Sequence, residues 1–426
     1  MTEKKRIAKN GIPLYSITNP HTHGMYISMF LKSGVMYEGE NECGITHFFE
    51  HIAIRNVNAK MGGRLYHQLD EYGMDFNAAT YNEMVQFYVS GNSKTFRRGA
   101  DIITSLLSPI TLSKSEIEAE KNRIKAEIRE ADERTSLAAF ANAAVWENTT
   151  LARSITGTLG DVAGVTRKKL EDYRYRVCTK DNIFFYVTGN ATDDDISYLL
   201  ELIGGYSLDS CITDTQERNN EAPVPIGFGC RSPEVRVKNA DFTKIRYSFD
   251  VDMSRVSAAE LDLLYEIVLG GYSSDFFIEL SEKRGLFYDL NGAVDRYRNI
   301  GEFYFSYELK PSKLYEAAEK TVELLDGYKR VPPAERSLRA VYVDNAYMLY
   351  DDSRDLNFTF GYDNHVLGLG YKGIEDRRSA YASITPERMC EVAREVFRPE
   401  NMTVAIKCNK KNTDTEKLNA ILFGRK

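Results

Sequence analysis

GITHFFEHIAI, residues 44–54, holds His47, Glu50 and His51 among apolar neighbours. On a helix, positions i and i+4 lie one turn apart on the same face, so both imidazoles can reach a single ion about 2.0–2.1 Å away. Glu50 shares that face, where its carboxylate can take the proton of a metal-bound water. Phe48 and Phe49 are left to pack into the domain and hold the helix still. Taken alone, two histidines on a half-buried helix also fit a purely structural role, and a five-residue pattern can arise by chance. A catalytic zinc site further needs a third protein ligand and an open position.

Outward from this segment, strands are expected near Ile12–Ile17 and Tyr26–Ser33, and helices near Ile45–Asn56 and Gly63–Tyr72. Further strands are expected near Met74–Thr80 and Val85–Ser90. The run SKSEIEAEKNRIKAEIREADER, residues 113–134, opens with Ser113 as a cap and Glu116 three residues later, and continues without glycine or proline. It predicts one long helix with Ile117, Ile124 and Ile128 on its buried stripe. A long acidic helix is a natural source of the missing ligand, and Glu127 lies on it, 127 − 51 = 76 residues past His51.

The inverted motif His47-Phe-Phe-Glu50-His51, with Glu127 at this distance, resembles the pitrilysin or insulinase family of zinc peptidases. The resemblance covers nearly the whole chain. It implies zinc held by His47, His51 and Glu127, Glu50 as general base, and Glu120 orienting a histidine or the neighbouring carboxylate. For Glu120 alone, a solvated helix carboxylate is the competing reading. FNAATYNEMVQFY, residues 76–88, is similar to the family's segment leading into an edge strand that takes an extended peptide. The resemblance thus assigns substrate contacts to Asn77, Ala78 and Thr80, while a plain strand start explains Asn77 equally well.

SSDFFIELSEKRGLFYDLNG, residues 273–292, resembles the family's substrate-gripping helix and strand, with Tyr288 at the tyrosine position. Seven residues earlier the family has an arginine, and this chain has Ser281, whose hydroxyl cannot replace a guanidinium fork. Either Arg284, near the same helical face, serves instead, or a second family subunit supplies the grip. The resemblance favours the second, a heterodimer, with a homodimer as the other form.

The polar, turn-rich stretch from about Tyr206 to Ser232 divides the chain into similar halves. After it come a strand near Thr243–Val251, a helix from Ala258, a second helix ending near Arg284, and strands near Leu286–Val294 and Glu302–Glu308. The repeated order suggests a duplicated α+β unit. The resemblance implies two homologous α+β domains, each a mainly antiparallel sheet with helices packed on one face: residues 1–215 bind zinc and residues 216–426 grip substrate. Two such chains would enclose a chamber suited to peptides or unfolded segments.

The remaining features are bland. The 426 residues are 43% hydrophobic and 27% charged, with 62 acidic against 55 basic side chains, a net charge of -7 that gives no reason to expect nucleic acid or anionic membrane as partner. Without an apolar leader or long apolar span, a cytoplasmic location is expected. Cys43, Cys178, Cys211, Cys230, Cys390 and Cys408 read as scattered reduced thiols. His21 and His23 sit in a turn, His67 and His365 are isolated, and LGGYSS around Gly270 lacks the lysine of a phosphate loop. The expected activity is a zinc-dependent endopeptidase acting in leader removal or peptide turnover. A scaffold or assembly subunit that keeps the fold without catalysis is the alternative, and it predicts damage to the motif that the sequence does not show.

Overall fold

The structure, a computed structural model, describes residues 1–130, 136–147, 149–208, 234–271, 273–287 and 289–424. The expected break therefore falls largely outside the described residues, as do Tyr288, Cys211 and Cys230.

The first sheet contains β1 (Lys4–Ile7), β2 (Pro13–Thr18), β3 (Gly24–Leu31), β4 (Asp75–Thr80), β5 (Val85–Asn92) and β6 (Ile183–Gly189) in the order β1-β2-β6-β3-β5-β4. The second contains β7 (Glu234–Asn239), β8 (Thr243–Asp252), β9 (Asp289–Arg296), β10 (Ile300–Leu309) and β11 (Met402–Cys408) in the order β7-β11-β8-β10-β9. Apart from the extra strand β1, the sheets match strand for strand. Each has one parallel pair, β2 with β6 and β7 with β11, in an otherwise antiparallel order. The duplicated α+β unit is thus present in the topology.

Strand periodicity sends alternate residues to opposite faces. In the first sheet Met25, Ile27, Met29 and Leu31 of β3 and Val85, Phe87 and Val89 of β5 enter the core. Helices α1 (Ile45–Lys60), α2 (Leu65–Tyr72), α3 (Phe96–Thr104) and α4 (Lys114–Glu130) contribute to that core. In the second, Ile245, Tyr247, Phe249 and Val251 of β8 and Phe303, Phe305 and Tyr307 of β10 do the same.

The other face of each sheet is covered too, by a segment from the opposite half of the sequence. Helix α5 (Leu137–Val145) lays Leu137 and Ala141 against Ala405 of β11. A helix at Ser353–Phe360 covers the back of β3: Asn357 accepts from the Ser28 hydroxyl at 2.7 Å and donates to the Tyr186 carbonyl at 3.0 Å. Gly361 just beyond it lies so close to Phe30 that a Cβ there would meet the ring at 2.5 Å.

Contacts therefore do not follow one cut between residues 215 and 216. One compact unit comprises Met1–Ala131, Arg153–Glu221 and Tyr347–Asp376; the other comprises Asp132–Ala152, Ala222–Ala346 and Arg377–Lys426. The physical reason is the exchange of these two covering segments, each of which buries apolar or hydrogen-bonding surface that its sheet would otherwise expose. Among the described residues no helix is long and apolar enough to cross a membrane.

Candidate metal centre

Helix α1 carries the motif, and its entry is held from outside the helix. Gly44 stands at the cap with φ 79°, and a Cβ there would meet the Thr156 carbonyl oxygen at 2.6 Å, so the cap has no side chain of its own. Glu38 caps the helix instead, because its carboxylate accepts from the backbone N–H of Gly44 and of Thr46, both at 2.9 Å. Burial nevertheless pushes the Glu38 carboxyl up to about 7, against the lowering effect of the Thr46 and Gly44 hydrogen bonds.

One residue beyond Thr46, His47 is buried, and one turn later His51 lies at a ring-centroid separation of 4.7 Å from it. Both present Nε2 to the same side chain of α4. His47 Nε2 lies 3.6 Å from Glu127 Oε1, and His51 Nε2 lies 3.5 Å from Glu127 Oε2. Among the described residues this is the one group whose ligand atoms all fall within 4.8 Å of each other.

Ligands bonded tetrahedrally at about 2.1 Å stand about 3.4 Å apart, so the residues fit a zinc ion. The donor chemistry agrees. Burial, and secondarily the charge of His51, lowers His47 to about 4, which keeps its imidazole neutral and able to coordinate. Its Nδ1 is buried with no hydrogen-bond partner. His51 is oriented from behind by Glu120, 3.3 Å from Nδ1, which leaves Nε2 to face Glu127. Glu120 is itself clamped by Arg55 Nη1 at 2.5 Å. Burial raises the Glu120 carboxyl, but the hydrogen bonds from His51 and Arg55 outweigh it and hold the group below the usual carboxylate range. Glu120 is therefore buried and bonded to both His51 and Arg55, unlike a solvated helix carboxylate.

Glu50 is buried, and its Oε2 accepts from the Thr80 hydroxyl at 2.5 Å. Burial lifts its carboxyl above the ordinary value, opposed by Thr80 and His51 and assisted by Glu127. Oε1 makes no hydrogen bond among the described residues.

Thr80, expected to touch substrate, donates to Glu50 from the end of β4. Asn77 is exposed on β4 and accepts the N–H of Ala78 at 2.9 Å, while Ala78 is half-buried against the core. Among the described residues β4 pairs with β5 alone, so it stands at the edge of the sheet.

Arg284 lies just past the helix that carries Ser281. The π-helix Phe277–Glu282 ends before it, and the chain turns through Gly285 at φ 56°, whose N–H returns to the Ser281 carbonyl at 2.8 Å. Arg284 lies 3.8 Å from Glu316 within its own unit.

Arg55, Glu38 and the Thr80–Glu50 contact were not anticipated. Arg55 had a signal, one further turn along the face of His51; Glu38, in an irregular loop, had none.

Comparison with known proteins agrees with this geometry. Residues 14–159 match the family model "Insulinase (Peptidase family M16)", and residues 164–340 match "Peptidase M16 inactive domain". The chain is 21% identical over 405 residues to the uncharacterized zinc protease YmxG of Bacillus subtilis (strain 168), covering 92% of this chain and 95% of that protein. It is 27% identical over 184 residues to the beta subunit of the mitochondrial-processing peptidase of Bos taurus, but these span 43% of this chain and only 38% of that one. The crystal structure of a protease from Helicobacter pylori shares the fold with a TM-score of 0.79 at 16% identity, covering 96% of this chain and 100% of that one. With both family models aligned along it and the motif's side chains gathered in space, the chain belongs to the insulinase family of peptidases, family M16.

Proposed function

We propose that the protein is a zinc-dependent endopeptidase that hydrolyses peptides or unfolded segments. The observation that carries this reading is the convergence of His47, His51 and Glu127 from two separate helices beside a base pinned by Thr80. Zinc, when bound by these three residues, supplies polarisation of a peptide carbonyl and acidification of water. The chain's own residues do the rest. Thr80 holds Oε2 of Glu50, so Oε1 is the atom that takes a proton from water and later passes it to the leaving amine. Glu120 and Arg55 fix the His51 ring. The open edge of β4 receives an extended peptide by backbone pairing, which selects conformation more than side-chain identity.

A second family subunit is part of the proposal, because Ser281 lacks a guanidinium fork and Arg284 is directed at Glu316. The relative named as a beta subunit supports it. Leader-peptide removal or peptide turnover are the matching roles. A second reading, a scaffold that keeps the fold, draws on the match of residues 164–340 to an inactive domain. Zinc content, together with hydrolysis of an unstructured peptide with and without chelator, separates the two. About one zinc per chain with chelator-sensitive cleavage supports the peptidase; zinc-free chain that cleaves nothing, alone or mixed with a second family subunit, sinks it.

A further inference from the structure

Beside Glu50 and His51 opens a cavity of about 740 Å³ that the chemistry above leaves unused. Its wall carries three carboxylates and two guanidinium groups, and they differ in what they already hold. Glu50 is bound to Thr80, and Glu120 to His51 and Arg55. Glu116 accepts from the Ser113 N–H at 2.8 Å and the Ser113 hydroxyl at 2.7 Å.

The two arginines have donors to spare. Arg55 gives Nη1 to Glu120, while its Nε is buried without a partner. Arg123 is exposed and makes no hydrogen bond or ion pair among the described residues. It stands three residues after Glu120 and four before Glu127, on the helical stripe that faces the site, yet pairs with neither.

We propose that Arg55 and Arg123 form a subsite for a carboxylate carried by the substrate peptide, on the C-terminal side of the bond that is cut. The proposal rests on the peptidase reading. The side follows from strand direction. β4 runs from Asp75 to Thr80; Thr80 touches Glu50, and Phe76 and Asn77, nearer the strand's start, line the cavity. A peptide added antiparallel to β4, as β5 already is on the other edge, runs the opposite way, so the residues it lays past Glu50 toward the cavity are those that leave as the new amine product. A guanidinium fork matches the two oxygens of a carboxylate whether they belong to an acidic side chain or to a free C-terminus.

The test uses zinc-loaded full chain carrying Glu50→Gln, so that binding is read without turnover. Fluorescence anisotropy is measured on one unstructured peptide in which Glu or Gln is placed at each position in turn, every peptide made both as free acid and as C-terminal amide. The expected result is about five- to tenfold tighter binding of an acid form over its neutral partner at low salt, shrinking as salt is raised. Adding Arg123→Gln should collapse that ratio to about one, Arg123→Lys should restore part of it, and Arg123→Glu should turn it in favour of Lys-bearing peptides. A Glu preference that survives amidation assigns the carboxylate to a side chain, and a preference for the free acid over the amide that is the same for Glu and Gln assigns it to the terminus. An acid form bound no tighter than its neutral partner, or a preference indifferent to Arg123→Gln, overturns the subsite. Cleavage by the unsubstituted chain with no acid preference overturns the subsite alone; acid-selective binding without any cleavage, whether the chain is alone or mixed with a second family subunit, instead sinks the peptidase reading.

Discussion

In both units a helix follows the inner strand, β3 in one sheet and β8 in the other, and in both that helix carries a buried acid. In the first unit the helix is α1, and its Glu50 feels the charges of His51 and Glu127, two members of the His47, His51 and Glu127 cluster. In the second unit the helix is α6 (Ala258–Val268), and its Asp262 is tied into structure: it accepts from the Tyr381 hydroxyl at 2.6 Å and from Arg296 Nη1 at 3.2 Å. The scaffold is the same, so the chemistry depends on partners. An acid offered only structural donors becomes a strut, whereas one placed beside unspent imidazole nitrogens becomes a candidate for catalysis.

The backs of the sheets differ in the same way. Behind β3 the hydrogen-bonded layer at Ser28 is neutral: Gln86 donates to Ser28 at 3.0 Å, and Ser28 donates to Asn357. Behind β8 it is charged. Arg246 lies over the Tyr304 ring at 3.7 Å and donates to Glu302 at 2.7 Å, and Asp295 stands opposite Glu302 in register.

These contrasts can be broken by substitution. The largest effect is expected from Glu50→Gln, which should retain zinc by elemental analysis and lower peptide hydrolysis by about 10³-fold, while His51→Ala should lose the metal itself. Full activity of Glu50→Gln would show that the base lies elsewhere. Next, Glu120→Gln releases the His51 ring and should weaken zinc retention against a chelator by about 10- to 100-fold; unchanged retention would reduce Glu120 to a packing role. In the second unit, Asp262→Ala should lower unfolding free energy by about 3 kcal/mol and leave zinc content alone, since Tyr381 and Arg296 lose a buried acceptor. Loss of metal from this variant would contradict the division of labour between the units.

The smallest effect concerns pH. Burial, reinforced by the charge of Glu302, raises Asp295 to about 7, so the folded state holds this proton more tightly than the unfolded chain does. The stability it contributes is complete below the ordinary carboxylate value near 4 and is lost as pH climbs through 7. Asp295→Asn should therefore shrink the difference in unfolding free energy between pH 5 and pH 8 by about 1–2 kcal/mol. An unchanged difference would place the titration elsewhere.

Much of this was legible in the residues. His47, Glu50 and His51 were readable because helical periodicity turns spacing into geometry, Glu127 because its distance from the motif resembles the family's, and the start of α1 and the spans of β4 and β5 followed, to within two residues, from periodicity and alternation. Three things were not. Glu38 acts on α1 across an irregular loop, where no periodicity applies. The role of Thr80 depends on the end of β4 meeting the helix, a tertiary fact. The crossing of residues 132–152 and 347–376 between units escaped because a covering helix shows the same amphipathic pattern whichever sheet it covers.

That crossing constrains how the protein can be made. A ribosome that has released the first half of the chain has delivered His47, His51 and Glu127, but not Asn357 or the helix that shields Ser28, Phe30 and Gln86; those arrive only with Tyr347–Asp376. Severed halves expressed separately would each emerge with one naked sheet surface and one orphaned helix, prone to clump and unable to mature until reunited.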